Sequence, residues 1–426
     1  MSNEKLKSDH IVIENKKYEI ISKLRKESQL KHKEDAASDI DKLVFKEDDM
    51  IGSLIKKKEE IFAKREKIQF DKLYVPINKG HFDLDTENRR KEFEKKLSEG
   101  WEKDYKEYRS LWAELGKTKK VRDYPLLVDL ELSSVCNLHC PMCYTISEDY
   151  IKRVSMKYMD HNVFKKVIDE IAGKVFAIRL SLRGESTLSK NFIDSIKYAK
   201  SKGILEVSTL THGKKLTGDY LKQIVDAGID WITVSVDGMH EDYNKIRHPL
   251  TWEGTLSRLK EIKELKATLG KSRPVIKVQG IWPSIRPYPT EFYEALLPYT
   301  DLIAYNPLID YLDNDQDIEY EDNFSCPQLW QRMVINSDNS VVMCSNDEKQ
   351  DSMIGNVKFQ TVKEIWHGER LNFIRKLHEY KDGYKCLHPC KACYYPRKTD
   401  DSEKAKVGQR EITIENYTNR SQIVGK

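Results

Sequence analysis

The chain has 426 residues, of which 73 are Lys or Arg and 69 are Asp or Glu, so its formal net charge is only +4. A charge balance this even excludes a whole-chain field for nucleic acid or for an anionic membrane. Hydrophobic residues make up 39% of the chain, enough for a buried core, and the length predicts two or three domains. The polar N-terminus lacks the apolar segment of a signal peptide, and no run of about 18 apolar residues occurs. We therefore expect a cytoplasmic protein without a membrane span, and its eight cysteines include clusters of the kind that bind metal more often than they form disulfides.

Residues 1–120 are dense in Lys, Glu and Asp, and their apolar residues recur at helical spacing. This pattern predicts a charged, mainly helical N-terminal extension, with helices over Ile51–Phe70 and Arg89–Leu115. Four aromatic residues recur at three- and four-residue spacing in the second segment: Trp101, Tyr105, Tyr108 and Trp112. We interpret this stripe as a surface that docks onto the following domain, and stacking on a cofactor is the alternative.

From Tyr124 onward, short apolar segments alternate with amphipathic ones, which predicts a β–α domain over residues 121–309. The predicted strands are Leu126–Val135, Val175–Leu182, Leu205–Leu210, Trp231–Val236, Val275–Gly280 and Asp301–Tyr305. The predicted helices are Asn162–Ala172, Lys190–Lys202, Gly218–Ala227, His240–Ile246, Trp252–Leu269 and Thr290–Tyr299. Six such alternations predict a parallel sheet with right-handed crossovers, too short to close an eight-stranded barrel. The expected fold class is therefore α/β, an open partial (β/α)6 barrel with its chemistry at the C-terminal strand ends.

Three cysteines follow the first predicted strand in a C-x3-C-x2-C arrangement: Cys136, Cys140 and Cys143. Thiolates are soft ligands that suit iron, and this close spacing lets three of them converge on one cluster. Because a 4Fe–4S cluster has four irons, three protein ligands leave one iron open for a substrate or cofactor. The alternatives are a zinc knuckle, although zinc usually has a fourth Cys or His ligand, and unrelated buried cysteines.

Five further cysteines lie in a predicted module over residues 310–396. A hairpin over Met333–Met343 has good turn residues and would return Cys344 to the side of Cys326. Four thiols form the predicted ligand set: Cys326, Cys344, Cys390 and Cys393. Such a set fits a fully ligated 4Fe–4S cluster, and zinc is chemically plausible too. Residues 397–426 are interpreted as a polar, peripheral tail.

The C-x3-C-x2-C arrangement of Cys136, Cys140 and Cys143 resembles the signature of the radical S-adenosylmethionine (SAM) superfamily. Leu182–Ser186 is similar to the family's G-G-E motif, with Arg183 in place of the first glycine, and Ser235–Gly238 ends the fourth strand. The resemblance implies that SAM binds the open iron of the cluster and is cleaved to a 5′-deoxyadenosyl radical, which abstracts a substrate hydrogen. The residues that it places at the cosubstrate are Tyr144, Gly184, Glu185, Ser208, Thr211, Ser235, Asp237 and Arg247.

Individual roles follow from the same resemblance. Glu185 is expected to accept a hydrogen bond from the methionyl ammonium, and Gly184 to let the backbone approach the ligand. Ser235 and Arg247 are expected to grip the methionyl carboxylate. Ser208 and Thr211 are expected near the ribose and the carboxylate.

The C-terminal module resembles the twitch domain, a shortened SPASM domain. The resemblance implies one auxiliary 4Fe–4S cluster on the four cysteines named above. Cys386 is then the spare thiol, which we interpret as packed; a hydrogen-atom donor to a substrate radical is the sharper hypothesis. No other catalytic side chain is assigned.

Relatives with this pair of domains predict oxidation, epimerisation or dehydration of a carbohydrate-type substrate in glycan biosynthesis, with a flavodoxin or ferredoxin as reductase. The alternative is a maturase that modifies a ribosomal peptide or protein. A non-catalytic zinc-binding scaffold is the third hypothesis. Neither nucleic acid nor a membrane is expected as a partner.

Overall fold

The computed structural model describes residues 23–24, 49–77, 79, 82–307, 318–418 and 424. The predictions made for residues 1–22 and 25–48, and for most of the acidic segment after Pro307, lie outside the described residues.

Helices and strands alternate as the sequence predicts. The helices α1 to α16 are Met50–Lys56, Lys58–Ala63, Glu87–Leu97, Glu102–Thr118, Glu148–Arg153, His161–Ile171, Phe192–Ser201, Gly218–Asp226, His240–Ile246, Trp252–Thr268, Trp282–Ile285, Pro289–Leu296, Gln328–Gln331, Val362–Trp366, Glu369–Leu377 and His388–Ala392. The strands β1 to β12 are Phe82–Asp83, Leu127–Leu130, Ala177–Arg179, Glu206–Thr211, Trp231–Ser235, Val275–Ile281, Leu302–Asn306, Arg332–Ile335, Ser340–Val342, Met353–Asn356, Thr399–Val407 and Arg410–Tyr417.

Ten of these strands form one sheet in the order β1-β7-β6-β5-β4-β3-β2-β8-β9-β10. The six strands β2 to β7 are parallel and adjacent in chain order, which confirms the predicted open (β/α)6 barrel. The predicted hairpin is also present, since β8 and β9 pair antiparallel. Its first strand pairs in parallel with β2, with Leu127 opposite Arg332. The cysteine-bearing module therefore extends the barrel's own sheet.

Amphipathic helices cover the barrel strands because their apolar residues fall on one side. In α6, the buried residues Phe164, Val167, Ile168 and Ile171 recur at three- and four-residue spacing. The helix begins at Asp160, whose side chain accepts a hydrogen bond from the Asn162 amide. The barrel helices thus follow from local sequence.

The N-terminal extension docks onto the barrel, as the aromatic stripe predicts. Tyr108 is buried and stacks on Phe176, with ring centroids 5.3 Å apart. The single helix predicted over residues 89–115 is wrong, because Gly100 has a φ of +84° and separates α3 from α4. The helix predicted over residues 51–70 is likewise divided into α1 and α2, and it ends at Ala63. Strand β1 adds antiparallel to β7 and covers that edge of the barrel sheet.

The C-terminal segment contains a hairpin that the sequence analysis did not anticipate. Strands β11 and β12 pair with each other, and their Glu403 accepts hydrogen bonds from Trp282 and Arg286 on α11 and just after it. Residues 399–417 are thus held against the barrel rather than forming only a loose tail. Within the described part of the chain, no helix is long and apolar enough to cross a membrane.

Candidate active site

The first cysteine loop follows β2 at the C-terminal end of the barrel. The Cys143 amide donates to the Cys140 carbonyl at 2.9 Å, which folds the loop into a tight turn. Burial raises the pKa of Cys136 to about 12, and the negative charges of Cys140, Glu185 and Cys143 add to this effect. The three thiols therefore lie close enough to oppose one another's ionisation. A cationic cluster would relieve this repulsion, so the donor set fits iron.

Gly184 allows the loop after β3 to close against the strand that leads into the cysteines. A Cβ atom at this position would lie 2.5 Å from the Ser133 carbonyl oxygen and 2.7 Å from that of Val135. The Glu185 amide donates to the same Val135 carbonyl at 2.9 Å. The close approach that requires glycine is thus to the chain's own backbone, whereas the resemblance implied an approach to the ligand.

Glu185 is held by donors from two strand ends. Its carboxylate accepts hydrogen bonds from the hydroxyls of Thr187 and Thr211, both at 2.6 Å, and from the His212 amide at 3.0 Å. Thr211, which was predicted to contact the cosubstrate, therefore orients Glu185 in this structure. The role of Glu185 toward a methionyl ammonium remains a prediction.

His212 is a site residue that the sequence analysis missed. Its Nδ1 accepts from the Lys214 amide at 3.1 Å, so the proton lies on Nε2. From there it donates to Asn137 Oδ1 at 2.8 Å, and it lies 3.4 Å from Glu185. His212 thus links Glu185 to the cysteine loop. Its position directly after a strand that ends in Thr211 was the available signal.

Asp237 and Arg247 form a buried ion pair beside the cysteine loop. Arg247 Nε donates to Asp237 Oδ2 at 2.6 Å, and Asp237 Oδ1 accepts from the Ile281 amide at 3.0 Å. Burial opposes the charge of Arg247, but the negative charges of Asp237 and Cys140 outweigh it and raise the pKa of the guanidinium. The structure therefore brings a cation next to the cysteine loop, and its contact with a methionyl carboxylate stays a prediction.

The other predicted cosubstrate residues are spread more widely. Ser235 ends β5 and is buried. Tyr144 packs its ring edge against Tyr150, with centroids 5.6 Å apart. Ser208 lies in the middle of β4 and lines the barrel interior, so it does not end the strand as the sequence suggested.

Arg183 does not face the cosubstrate region in the way that the G-G-E motif suggests. Its guanidinium forms a two-pronged ion pair with Glu131, with Nε 2.7 Å from Oε1, and both side chains are fully buried. Glu131 also accepts from the amide and hydroxyl of Ser337 in the β8–β9 turn, at 3.0 and 2.9 Å. This network joins the barrel to the C-terminal module.

The four predicted auxiliary ligands line one internal space: Cys326, Cys344, Cys390 and Cys393. Burial raises the pKa of Cys326 to about 12 and that of Cys393 to about 11, and neighbouring thiols add to the shift at Cys326. Lys119 and Arg397 offset only part of this shift, so four thiols in one buried space fit a cationic cluster. Among the described residues that line this space, Cys386 does not occur; it ends the 3₁₀ helix Gly383–Cys386.

Nitrogen donors surround this second set. Asn346 Nδ2 lies 3.1 Å from Cys393 Sγ. The buried His378 accepts the Cys326 amide at its Nδ1, at 3.2 Å, and its Nε2 lies 3.8 Å from Cys390 Sγ. Burial lowers the pKa of His378 to about 3, so its ring is neutral and carries its proton on Nε2.

Across the described part of the chain, no three His, Cys, Asp or Glu side chains lie close enough together to hold a single metal ion. One zinc ion would need four sulfurs at about 2.3 Å from a common centre. The thiolates of a 4Fe–4S cluster bind different irons and lie farther apart.

A cavity of about 350 Å³ occupies the interior of the barrel. Polar side chains of the strands line its walls, among them Arg179, Glu206, Thr233, Lys277 and Gln279. Helices α3 and α4 cover its lower end, the end at which the strands begin. There an apolar layer packs together: Phe93, Leu97, Val275 and Leu302, with Tyr105 and Trp231 against it. Three residues of the docking stripe, Tyr105, Tyr108 and Trp112, thus also form cavity wall.

Two family profiles match the chain. Residues 130–278 match the Radical SAM superfamily, and residues 326–394 match the SPASM family, an iron-sulfur cluster-binding domain. The first match covers the barrel from the end of β2 into β6, and the second contains the five cysteines of the C-terminal module.

Known relatives are similar over parts of the chain. The tungsten-containing aldehyde ferredoxin oxidoreductase cofactor-modifying protein of Pyrococcus furiosus is 27% identical over 36% of this chain and 42% of its own length. An S-adenosylmethionine-dependent nucleotide dehydratase of Lacinutrix mariniflava is 30% identical over 31% and 28%. The chain thus spans less than half of either relative. The S-adenosyl-L-methionine-dependent 2-deoxy-scyllo-inosamine dehydrogenase of Niallia circulans is 23% identical over 63% of this chain and 92% of its own.

Among solved structures, BtrN in complex with AdoMet and 2-DOIA is 19% identical, with a TM-score of 0.43. The alignment covers 65% of this chain and 94% of that one.

Proposed function

The chain is a radical SAM protein with a C-terminal SPASM domain, and we propose that it oxidises, epimerises or dehydrates a carbohydrate-type substrate. Its cofactors are SAM, a SAM-binding 4Fe–4S cluster and an auxiliary cluster. The chemistry that these cofactors supply when bound is a 5′-deoxyadenosyl radical able to abstract a substrate hydrogen atom.

Two cysteine sets of this chain would hold the clusters. We assign Cys136, Cys140 and Cys143 to the SAM-binding cluster. The second set, Cys326, Cys344, Cys390 and Cys393, is assigned to the auxiliary one. Glu185 and Arg247 are the residues assigned to the methionyl ammonium and carboxylate, because both are buried and oriented beside the cysteine loop.

The cavity inside the barrel, whose strand walls carry polar side chains, is the observation that carries the choice of substrate class. Its volume of about 350 Å³ lies in the range of small-molecule sites, about 300–1,000 Å³. Hydroxyl, amide and charged groups line its walls, and α3 and α4 cover its lower end. Such a space suits a small polar molecule better than an extended peptide that must pass through. Two of the relatives carry names of small-molecule enzymes, a nucleotide dehydratase and an inosamine dehydrogenase, which supports the same class.

Deuterium transfer tests this proposal. The anaerobically reconstituted protein is incubated with SAM, a reductant and deuterated candidates, namely sugar phosphates, nucleotide sugars and peptides. We expect deuterium to appear in 5′-deoxyadenosine with a sugar-type candidate, and the labelled position identifies the carbon attacked. Deuterium transfer from peptides alone would support the peptide maturase instead. A colourless protein that binds zinc would exclude both the carbohydrate enzyme and the maturase.

A further inference from the structure

Lys277 is a buried cation without a partner inside the cavity. It lies in the middle of β6, is only 7% exposed and lines the cavity. Among the described residues, its Nζ has no hydrogen bond or ion pair. Asp83 acts on it only through its charge and is itself paired with Arg90 at 2.6 Å. No described protein group replaces the hydration that this amine loses on burial, and burial accordingly lowers the pKa of Lys277.

Two arginines beside the cavity share one carboxylate. Asp129 pairs with Arg332, and Arg179 Nε lies 3.8 Å from Asp129 Oδ1, beyond hydrogen-bond distance. Within the described residues, Arg332 Nε is buried without a hydrogen-bond partner. One carboxylate cannot neutralise two guanidinium groups. A net positive charge and hydrogen-bond donors without an acceptor therefore remain beside the cavity.

The acidic residues of the lining do not cancel this charge. Asp83 is paired with Arg90, whereas Glu94 lies on the same wall as Arg109, and the lining as a whole has more basic than acidic side chains. Glu206 faces the cavity, and burial, together with the charge of Asp230, raises its pKa to about 7. When protonated, this carboxyl group donates a hydrogen bond to an anion instead of repelling it.

We propose that the lower half of the cavity binds an anionic group of the substrate, a phosphate or a carboxylate, between Lys277, Arg179 and Arg332. This inference rests on the proposed function, because it takes the cavity as the substrate site and adds the chemical class of one end of the ligand.

The position of Lys277 also says where the charge sits in the ligand. It lies four positions before Ile281, the last residue of β6, which is roughly 13 Å along a strand that rises about 3.3 Å per residue. The cysteine loop and Glu185 lie at the C-terminal ends of the strands. The charged group and the attacked carbon are therefore at opposite ends of the substrate. Binding energy from such a remote group positions the reacting end.

Calorimetric titration of the full-length, reconstituted protein tests the inference. The probes are inorganic phosphate, a hexose 1-phosphate, a hexuronate and an uncharged hexose. We expect the charged probes to bind more tightly than the hexose, and the two charged sugars distinguish phosphate from carboxylate. Lys277→Gln should lower the affinity for the preferred anion at least about tenfold, because it removes a buried charge partner. Lys277→Arg should restore most of that affinity.

Lys266→Gln is the matched control, since Lys266 is a largely buried lysine on α10 that pairs with Asp301 outside the cavity. Its anion affinity should equal that of the wild type. If Lys277→Gln does not fold, Arg179→Gln should show the same loss of anion affinity. Equal affinity in the wild type and in the folded cavity variants overturns the inference.

The same preparations are assayed for 5′-deoxyadenosine. Its formation without any anion binding counts against the anion site alone. Anion binding without 5′-deoxyadenosine counts against the proposed function, and the two failures are thus distinguishable.

Discussion

Arg183 shows how one residue can depart from a family motif for a structural reason. It occupies the place of the first glycine of the G-G-E motif, and its guanidinium binds Glu131. Ser337 completes the coordination of the same carboxylate from the C-terminal module. A motif comparison could identify the substitution, but only the tertiary structure supplies the partner, because Glu131 and Ser337 lie far from Arg183 in sequence.

Removing this guanidinium should destabilise the fold. Arg183→Met leaves Glu131 buried without its cation, a loss of about 3–5 kcal/mol in the free energy of unfolding. Thermal and chemical denaturation measure the change. Arg153→Met is the control, because Arg153 is 41% exposed in its pair with Asp351 and should change stability by less than about 1 kcal/mol.

The pH dependence of this defect gives a second readout. Burial acts to raise the pKa of Glu131, but Arg183 and Ser337 outweigh it and lower the pKa in the native protein. The wild-type pair therefore contributes stability at neutral pH that is lost as the pH falls. In Arg183→Met the guanidinium no longer offsets burial, while the hydrogen bonds from Ser337 remain, so the pKa of Glu131 should rise above its wild-type value. Acidification should therefore narrow the difference in stability between the variant and the wild type. If the difference in the free energy of unfolding between the wild type and Arg183→Met stays constant with pH, lost packing rather than the buried charge causes the defect.

His378 offers a residue-level test of the auxiliary site. Its Nδ1 is engaged by the Cys326 amide, so its Nε2–H is the hydrogen that faces Cys390. A hydrogen bond to a thiolate ligand favours the reduced cluster. His378→Phe should lower the reduction potential of that cluster by up to about 40 mV, the equivalent of a hydrogen bond of about 1 kcal/mol in a one-electron couple.

Potentiometric titration followed by electron paramagnetic resonance measures this shift. His367→Phe serves as the control, because His367 is exposed and bonds to the Asp123 carbonyl. An unchanged potential in His378→Phe, with iron content preserved, would contradict a role of this ring at the cluster.

At the scale of elements, local pattern predicted most of the barrel. Most of its strands contain an apolar run, as in β7, and its helices have an apolar face, as in α6, so burial and secondary structure largely follow from the same residues. The β11–β12 hairpin escaped prediction because its strands are polar and charged, as in Thr399–Val407. Its position depends on contacts with distant residues, such as Glu403 with Trp282.

The candidate site likewise contains residues that could be predicted from the sequence and residues that could not. Residues at strand ends, such as Glu185 and Asp237, are predictable because topology brings the C-terminal ends of parallel strands together. His212 was missed although it also follows the end of a strand, and the interior of the barrel could not be predicted. A lysine or glutamate inside a strand, such as Lys277 or Glu206, does not reveal from sequence alone whether it faces the lumen or the helices.

For the whole molecule, the continuous sheet has a consequence for metal loading. Strand β8 pairs with β2, so the module that carries the second cysteine set is hydrogen-bonded to the strand that leads into the first. The two sets nevertheless have separate surroundings, the first beside Glu185 and Arg247 and the second beside His378. They should therefore load independently within one folded body.

Cysteine replacement tests this expectation. With two 4Fe–4S clusters the reconstituted chain should contain about eight irons. Replacing Cys136, Cys140 and Cys143 with Ala should leave about four, held by a cluster that cannot cleave SAM. Replacing Cys344 and Cys390 should likewise leave about four, and 5′-deoxyadenosine should still form, because the barrel site is intact. Cys386→Ala should leave the iron content unchanged. Loss of all iron in either multiple variant would mean that the sites assemble as one unit, and the shared sheet would then couple them more tightly than their separate surroundings indicate.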